Sequence, residues 1–275
     1  WIPSNGDGGA TGAGEMPSSS KLVFLYAHGN AFDRGQRHRV ELYQKLRDQF
    51  GAHVVAFDYR GYGDSTLAIP TEDGVVDDAE AVYGWIIERH PDARVVLWGH
   101  SLGSGVASAL AVRLRRGGRP APLREALRGV VLEAPFRSAV FAATSFHALK
   151  YLLAAGPLGR EGSYRLVKSA MGEEDNFDTE ARIPLVDRPL IMVHGTRDSS
   201  IPHYHSEELF QAIPKQGDVA DHERLSARAL LTTATAAHGH PVRMLIIDSA
   251  SHNDLHHFEE LFESTSRLLL DLPSS

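Results

Sequence analysis

Short, nearly continuous apolar runs alternate with amphipathic stretches along most of the chain. The runs are rich in β-branched residues and cover positions 22–27, 53–57, 94–98, 129–132, 190–193 and 242–247. Strands that are apolar at almost every position are typical of a parallel sheet covered on both faces. The pattern therefore predicts an α/β fold built on an open, mostly parallel sheet.

Stretches with a helical apolar period lie between the predicted strands. They cover positions 37–50, 75–89, 102–115, 204–213 and 254–270. In the first of them, Val40, Tyr43 and Leu46 share one face. Because strands and helices alternate, we expect right-handed crossovers that place helices on both faces of the sheet.

Two longer segments interrupt this alternation. Residues 135–187 separate two predicted strands by far more than the ~2–6 residues of a usual connection. They contain an apolar helix candidate at about 139–155, and we expect them to form a lid-like insertion over the carboxyl edge of the sheet. Residues 215–240 form a second insertion, predicted to be partly helical around 225–237.

The ends and the composition limit the remaining organisation. Residues 1–20 are rich in Gly, Ser and Pro, so we expect a flexible lead-in followed by one domain over residues 21–275. The chain has 28 basic and 35 acidic residues, a net charge of −7, which argues against nucleic acid as a partner. It has no cysteine, which excludes thiolate nucleophiles and cysteine-bound zinc. The sequence contains no run of 18 apolar residues and therefore does not predict a membrane span.

One motif carries recognisable chemistry. Gly99, Ser101 and Gly103 form a G-x-S-x-G pattern directly after a predicted strand and directly before a predicted helix. The turn is so sharp that side chains at the two glycine positions would collide with neighbouring backbone. The serine hydroxyl then projects from the turn, above the free amides and positive dipole end of the helix. Ser101 is therefore the candidate nucleophile.

A serine hydroxyl needs a base, and the base needs an acid that orients it. In this class of site the acid and then the base follow the serine, each after a later strand. Asp198 follows the run at 190–193, and His252 follows the run at 242–247, so both lie where the geometry requires. Glu133, at the end of another strand, is the competing acid, and Asp248 lies closer to its strand than such an acid needs to.

The reaction also requires an oxyanion hole. One donor is the amide after the nucleophile, that of Leu102, and the other should come from the loop after the first strand. That loop reads His28-Gly29-Asn30-Ala31, and we assign Asn30 as the second donor, with Ala31 as the alternative. Phe32 follows and would narrow the entrance for an acyl chain.

The fifteen histidines raise the question of a metal. His252 and His256 are four residues apart, which is a helical ligand spacing, but no glutamate follows the first of them as in H-E-x-x-H. We expect His256 and His257 to face solvent or to pack locally. No phosphate-binding loop or complete dinucleotide fingerprint occurs either, so we predict neither a metal nor a cofactor.

Taken together, the motifs resemble those of a known family. HGNA, RHRVELY, FDYRGYGDS, GHSLGSGVA, LEAPF and HGTRDSSIP look like the α/β-hydrolase fold over residues 21–270. Within it they resemble the α/β-hydrolase domain-containing lipases of subfamily twelve, which act on monoacylglycerols and lysophosphatidylserine. The resemblance implies Ser101 as nucleophile, Asp198 as acid and His252 as base. It also implies membrane association of the endoplasmic-reticulum type, through a segment upstream of Trp1.

The sequence thus predicts a serine hydrolase that cleaves a lipid carboxylic ester. Phe141 and Leu149, in the apolar helix candidate, would contact the acyl chain, and that helix could touch a membrane surface. A protein depalmitoylase or a peptidase uses the same motifs and stays open as the alternative. A non-catalytic binding module on the same fold would show a broken triad, whereas all three members are present in order.

Overall fold

A computed structural model describes residues 21–116, 119–139, 177–217 and 220–271. Its strands are β1 (Leu22–Ala27), β2 (His53–Ala56), β3 (Arg94–His100), β4 (Leu127–Glu133), β5 (Leu190–Gly195), β6 (Asp221–Ser226), β7 (Ala229–Thr235) and β8 (Pro241–Ile247). Its α-helices are α1 (Arg37–Phe50), α2 (Glu72–Arg89), α3 (Leu102–Arg115), α4 (Ala121–Ala126), α5 (Thr179–Arg182), α6 (Tyr204–Ala212) and α7 (Glu259–Leu270). Two short 3₁₀ helices span Ile183–Leu185 and Leu255–His257.

The strands of this region form one sheet in the order β2-β1-β3-β4-β5-β8-β7-β6. Neighbours from β2 to β8 pair in parallel, while β7 and β6 pair antiparallel. All six strands predicted from the apolar runs are present. The predicted mostly parallel sheet is confirmed, and its parallel strands point their carboxyl ends toward the same edge.

Helices cover both faces of the sheet, which explains the continuous apolar runs. Val23 and Leu25 face the hydrophobic cluster that includes α2 and α3. The alternate residues Phe24 and Tyr26 face the other cluster, to which α1 and α7 contribute. Because successive strand residues point to opposite faces, a strand buried on both sides needs an apolar residue at every position.

The second insertion differs from the prediction. The sequence indicates a partly helical segment around 225–237, but residues 221–226 and 229–235 are strands that form an antiparallel hairpin beside β8. The Ala- and Leu-rich sequence of β7 favours a helix, yet the exposed hydrogen-bonding edge of β8 overrides this weak preference. In β7, Ala229 and Leu231 pack into one hydrophobic cluster and Ala234 into the other, so the strand contributes to the core on both faces.

The last helix also begins later than predicted. Leu255–His257 is a 3₁₀ turn, Phe258 is extended, and α7 starts at Glu259. Most of the proposed lid, including residues 140–155 of the helix candidate, lies outside the described residues, and so does the predicted lead-in at 1–20. Among the helices that the structure describes, none has both the length and the hydropathy of a membrane span.

Candidate active site

Ser101 sits in the turn between β3 and α3 with unusual backbone angles. Its φ is 53° and its ψ is −120°, a left-handed conformation that side chains rarely adopt. A Cβ at position 99 would lie 2.2 Å from the carbonyl oxygen of Gly103, and one at position 103 would lie 1.9 Å from that of Ala27. Both glycines are therefore required for the serine to stand above the helix N-terminus.

Asp198 and His252 meet although they come from different loops. Nδ1 of His252 lies 2.6 Å from Oδ2 of Asp198, while Oδ1 of Asp198 accepts the amides of Ser200 and Ile201, each at 2.8 Å. Burial by itself would raise the pKa of Asp198, but hydrogen bonds with His194 and His252 outweigh burial and hold that pKa well below its usual range. Asp198 is thus an ionised partner that orients the imidazole.

The two loops are locked together below this pair. A Cβ at Gly195 would lie 2.2 Å from the carbonyl oxygen of Ala250, so only glycine permits this approach. The amide of Arg197 donates to the same carbonyl at 2.9 Å. Asp248, the acid judged too close to its strand, instead accepts the hydroxyl of Thr196 at 2.8 Å.

Glu133, the competing acid, is occupied elsewhere. Its side chain is buried and accepts the indole N–H of Trp98 at 2.9 Å. Burial raises its pKa to about 7. Its backbone carbonyl accepts the amide of Ser101 at 2.9 Å, which fixes the serine turn to the end of β4. The residue braces the turn, and the carboxylate beside His252 is that of Asp198.

A cavity of about 590 Å³ opens where these elements converge. Ser101, Leu102, His252, Asn30 and Ala31 line it. Within the described residues, the amides of Asn30 and Leu102, the predicted oxyanion donors, make no turn or loop hydrogen bond to a backbone carbonyl. Its walls also include Pro70, Phe136, Ala139, Phe177 and Ile201.

Of the predicted substrate contacts, Phe32 lies within the described residues. Phe32 follows the cavity-lining Ala31, but its side chain is 73% exposed and its φ is 62°. Phe141 and Leu149 lie outside the described residues. The described ends of the 135–187 segment, at Phe136, Ala139 and Phe177, do reach the cavity wall.

Solved structures with a similar backbone identify the fold. Esterase Pf2001 of Pyrococcus furiosus superposes with a TM-score of 0.63 at 19% identity, covering 93% of this chain and 83% of the esterase. Est1E of Butyrivibrio proteoclasticus, solved with ferulic acid, superposes with a TM-score of 0.59 at 16% identity, covering 94% and 93%. A family profile described as alpha/beta hydrolase fold matches residues 23–154. The chain has the α/β-hydrolase fold.

The relatives found by sequence belong to one branch of the α/β hydrolases. The chain is 35% identical to the lysophosphatidylserine lipase ABHD12 of Xenopus tropicalis over 209 residues, which are 76% of this chain and 51% of that protein. It is 35% identical to the human protein ABHD12B over 190 residues, 69% of this chain and 49% of that protein. The chain spans about half the length of these curated relatives. The resemblance to this lipase branch, first seen in the motifs, is confirmed.

Three further residues support the site of this α/β hydrolase without being evident in the sequence. Arg39, on α1, is buried and donates to the carbonyls of Gly29 at 3.2 Å and Ala31 at 2.8 Å, on either side of Asn30. It therefore holds the loop that presents the Asn30 amide. The only sequence signal was a charged residue beside the apolar stripe of a helix, which usually indicates a solvated position.

The other two are histidines. His194 lies at the end of β5, and its Nε2 is 3.3 Å from Oδ2 of Asp198, while its Nδ1 is 2.7 Å from the hydroxyl of Ser206. His100, inside the serine motif, donates from Nε2 to the backbone carbonyl of His252 at 2.9 Å. Burial lowers the pKa of His100 well below its ordinary value, so this imidazole is neutral. His100 thereby fixes the base loop without adding a charge.

Proposed function

We propose that this chain is the catalytic part of a serine hydrolase that cleaves a lipid carboxylic ester through an acyl-enzyme on Ser101. The observation that carries the proposal is the 2.6 Å contact between Asp198 Oδ2 and Nδ1 of His252, a histidine that lines the same cavity as the strained serine. An acid, a base and a serine in this order on this fold are the requirements for nucleophilic acyl transfer. The lipase names of the relatives support the lipid ester as substrate class.

The first half-reaction forms the acyl-enzyme. Oγ of Ser101 attacks the ester carbonyl carbon, and Nε2 of His252 takes the hydroxyl proton. The negative charge moves to the carbonyl oxygen, where the amides of Asn30 and Leu102 stabilise it. As the intermediate collapses, the imidazolium returns the proton to the leaving alkoxide, which departs as the alcohol. Asp198 stays ionised and stabilises the imidazolium.

The second half-reaction releases the fatty acid. A water molecule attacks the acyl carbonyl while His252 takes one of its protons, and the same two amides hold the second oxyanion. Collapse breaks the bond to Oγ, and the proton on His252 returns to Ser101. Each proton taken is given back, so the chemistry consumes only the ester and water, and no cofactor enters it.

The cavity supports an acyl chain as the recognised group. Beside the polar centre its wall is apolar, with Leu102, Phe136, Phe177 and Ile201. We assign this wall to the acyl chain, and we assign the 135–187 segment to a cap that extends it, because both described ends of that segment line the cavity. Phe32, Phe141 and Leu149 belong to the same proposal as acyl contacts.

Exposed apolar side chains near the cavity support contact with a membrane surface. Leu67 is 98% exposed, Ile69 is 84% exposed, and Pro70 of the same loop lines the cavity. Arg34 joins this loop to the one carrying Phe32, because its guanidinium reaches Asp64 at 2.6 Å and also bonds Asp58. The exposed side chains of Leu67, Ile69 and Phe32 therefore lie on two joined loops, from which they can enter a lipid interface.

A substrate panel tests the proposed activity. The panel contains a lysophosphatidylserine, a monoacylglycerol, an acyl-cysteine peptide and an aminoacyl amide, with the wild-type chain and Ser101→Ala assayed side by side. We expect hydrolysis of the two lipid esters, abolished in the variant. Turnover confined to the thioester or to the amide would replace the proposal by a depalmitoylase or a peptidase.

A further inference from the structure

Away from the catalytic pair, three ligand-type side chains converge on one point of the surface. Glu41 projects from α1, and His256 and His257 project from the 3₁₀ turn before α7. Nε2 of His256 lies 3.0 Å from Oε2 of Glu41, and Nε2 of His257 lies 3.6 Å from the same oxygen. All three ligand atoms lie within 4.8 Å of one another. The sequence expectation that these histidines would face solvent or pack locally is wrong for His256, which is buried against a helix from the other end of the chain.

The two distances from Glu41 to the histidines match the edges of a metal coordination shell. Zinc binds imidazole nitrogens and carboxylate oxygens at about 2.0–2.2 Å in tetrahedral geometry, which places neighbouring ligand atoms roughly 3.3 Å apart. The two nitrogen-to-oxygen distances bracket this value. Two imidazoles and one carboxylate also form a ligand set of the kind found in zinc sites with one open position.

The surroundings hold the ligands and leave an entrance. Oε1 of Glu41 accepts Nε of Arg37 at 2.7 Å, which orients the carboxylate with Oε2 toward the histidines. Lys45 donates to the backbone carbonyl of His256 at 2.8 Å and so fixes the turn on α1. The side chain of His257 is 61% exposed, so the open position faces solvent. The positive charges of Arg37 and Lys45 lower the affinity for a metal ion. Their hydrogen bonds go to Oε1 of Glu41 and to a backbone carbonyl, which leaves Oε2 of Glu41 and the two Nε2 atoms facing one another.

We propose that Glu41, His256 and His257 bind a divalent transition-metal ion of the zinc class. This site is distinct from the His252–His256 pair suggested by spacing, since His252 is directed to Asp198. A bound ion would join α1, which carries Arg39, to the turn that follows His252. It would therefore stabilise the side of the fold that positions both the base and the oxyanion loop.

Zinc titration of the untagged full chain tests the proposal. Isothermal calorimetry should show one saturable equivalent of Zn²⁺, and His257→Ala should weaken that binding by more than about tenfold, because even an outer partner of a metal ligand is worth about 10–100-fold. His257 is mostly exposed, so its loss leaves the fold intact. Glu41→Gln should weaken binding in the same way. At a zinc concentration of 100 times Kd, the Tm of the wild-type chain should rise by about 5 °C.

A second histidine pair provides the matched control. The rings of His238 and His240 lie 5.5 Å apart, and no carboxylate completes a three-ligand group with them among the described residues. His240→Ala should therefore bind zinc like the wild-type chain. If zinc binds with no saturable equivalent, or if His257→Ala and Glu41→Gln bind as tightly as His240→Ala does, the site is not the one proposed.

Discussion

The carboxylate of Asp198 divides its two oxygens between two tasks: Oδ2 faces Nδ1 of His252 at 2.6 Å, and Oδ1 accepts two amides of its own loop. The loop thus orients the acid, and the acid orients the base. Since the imidazole must present Nε2 to the serine, the Nδ1–H must remain on the Asp198 side. The contact therefore sets both the position and the tautomer of the base.

Replacing this acid by its amide should remove the tautomer control. Asp198→Asn keeps the size of the side chain but should lower kcat by about 10⁴-fold, as the loss of a triad carboxylate does. The matched control is Asp248→Asn, on the exposed carboxylate that accepts Thr196, which should leave kcat nearly unchanged. Steady-state kinetics on the best ester of the panel measures both. Equal effects of the two variants would contradict the assigned acid.

The oxyanion loop should depend on the Arg39 guanidinium, which holds two of its backbone carbonyls. Arg39→Met keeps the length of the side chain but removes the donors to Gly29 and Ala31. We expect kcat to fall by about 10²-fold with little change in KM, because a displaced oxyanion donor acts on the transition state. Arg47→Ala, on the same helix with only a surface ion pair to Asp48, should retain normal kinetics. A change in KM with kcat unchanged would contradict the positioning role.

The docking of the acid loop on the base loop should depend on Gly195. Gly195→Ala forces a Cβ toward the carbonyl of Ala250, so it should destabilise the fold by about 1–3 kcal/mol and lower kcat. Gly84, inside α2, is the control, because a Cβ there meets nothing within 4 Å. Gly84→Ala should stabilise the fold by about 0.5–1 kcal/mol. Urea denaturation measures both, and a stable, fully active Gly195→Ala would refute the close approach.

Glu133 should make stability decline as the pH rises from about 4 to about 7. Its pKa is raised to about 7 in the fold, whereas an unfolded glutamate titrates near about 4.3. Its contribution to the free energy of unfolding is therefore complete below about pH 4 and is lost as the pH rises through 7. Glu133→Gln removes this loss while its amide oxygen can still accept the indole of Trp98. The free energy of unfolding of the variant, relative to that of the wild type, should be about 1–3 kcal/mol higher at pH 8 than at pH 4. A difference that is the same at both pH values would contradict the raised pKa.

The sequence predicted the parts of this molecule that depend on local pattern. The parallel strands follow from buried runs such as 22–27, and Ser101, Asp198 and His252 each follow a strand whose carboxyl end lies at the common edge. The structure places Ser101 and His252 on the wall of one cavity and Asp198 in contact with His252, as that topology requires. The glycines at 99 and 103 were readable because a turn of this kind leaves no room for a side chain.

The remaining features depend on contacts between distant segments. Nothing in the sequence around Arg39 indicates that its guanidinium caps carbonyls of another loop, and nothing around His256 indicates Glu41 as its partner. The hairpin of β6 and β7 differs from the helix that its Ala- and Leu-rich sequence predicts, because β7 pairs with the edge of β8. In each case tertiary pairing, rather than local propensity, decides the structure.

The most direct test of the account is the identity of the residue that reacts with a fluorophosphonate probe. Intact-mass and peptide mass spectrometry should show one adduct, on Ser101, which disappears in Ser101→Ala. Ser200 lies in the same cavity wall and is the matched serine, so Ser200→Ala should still be labelled at Ser101. An adduct that persists in Ser101→Ala, or that maps to Ser200, would contradict the assignment of the nucleophile.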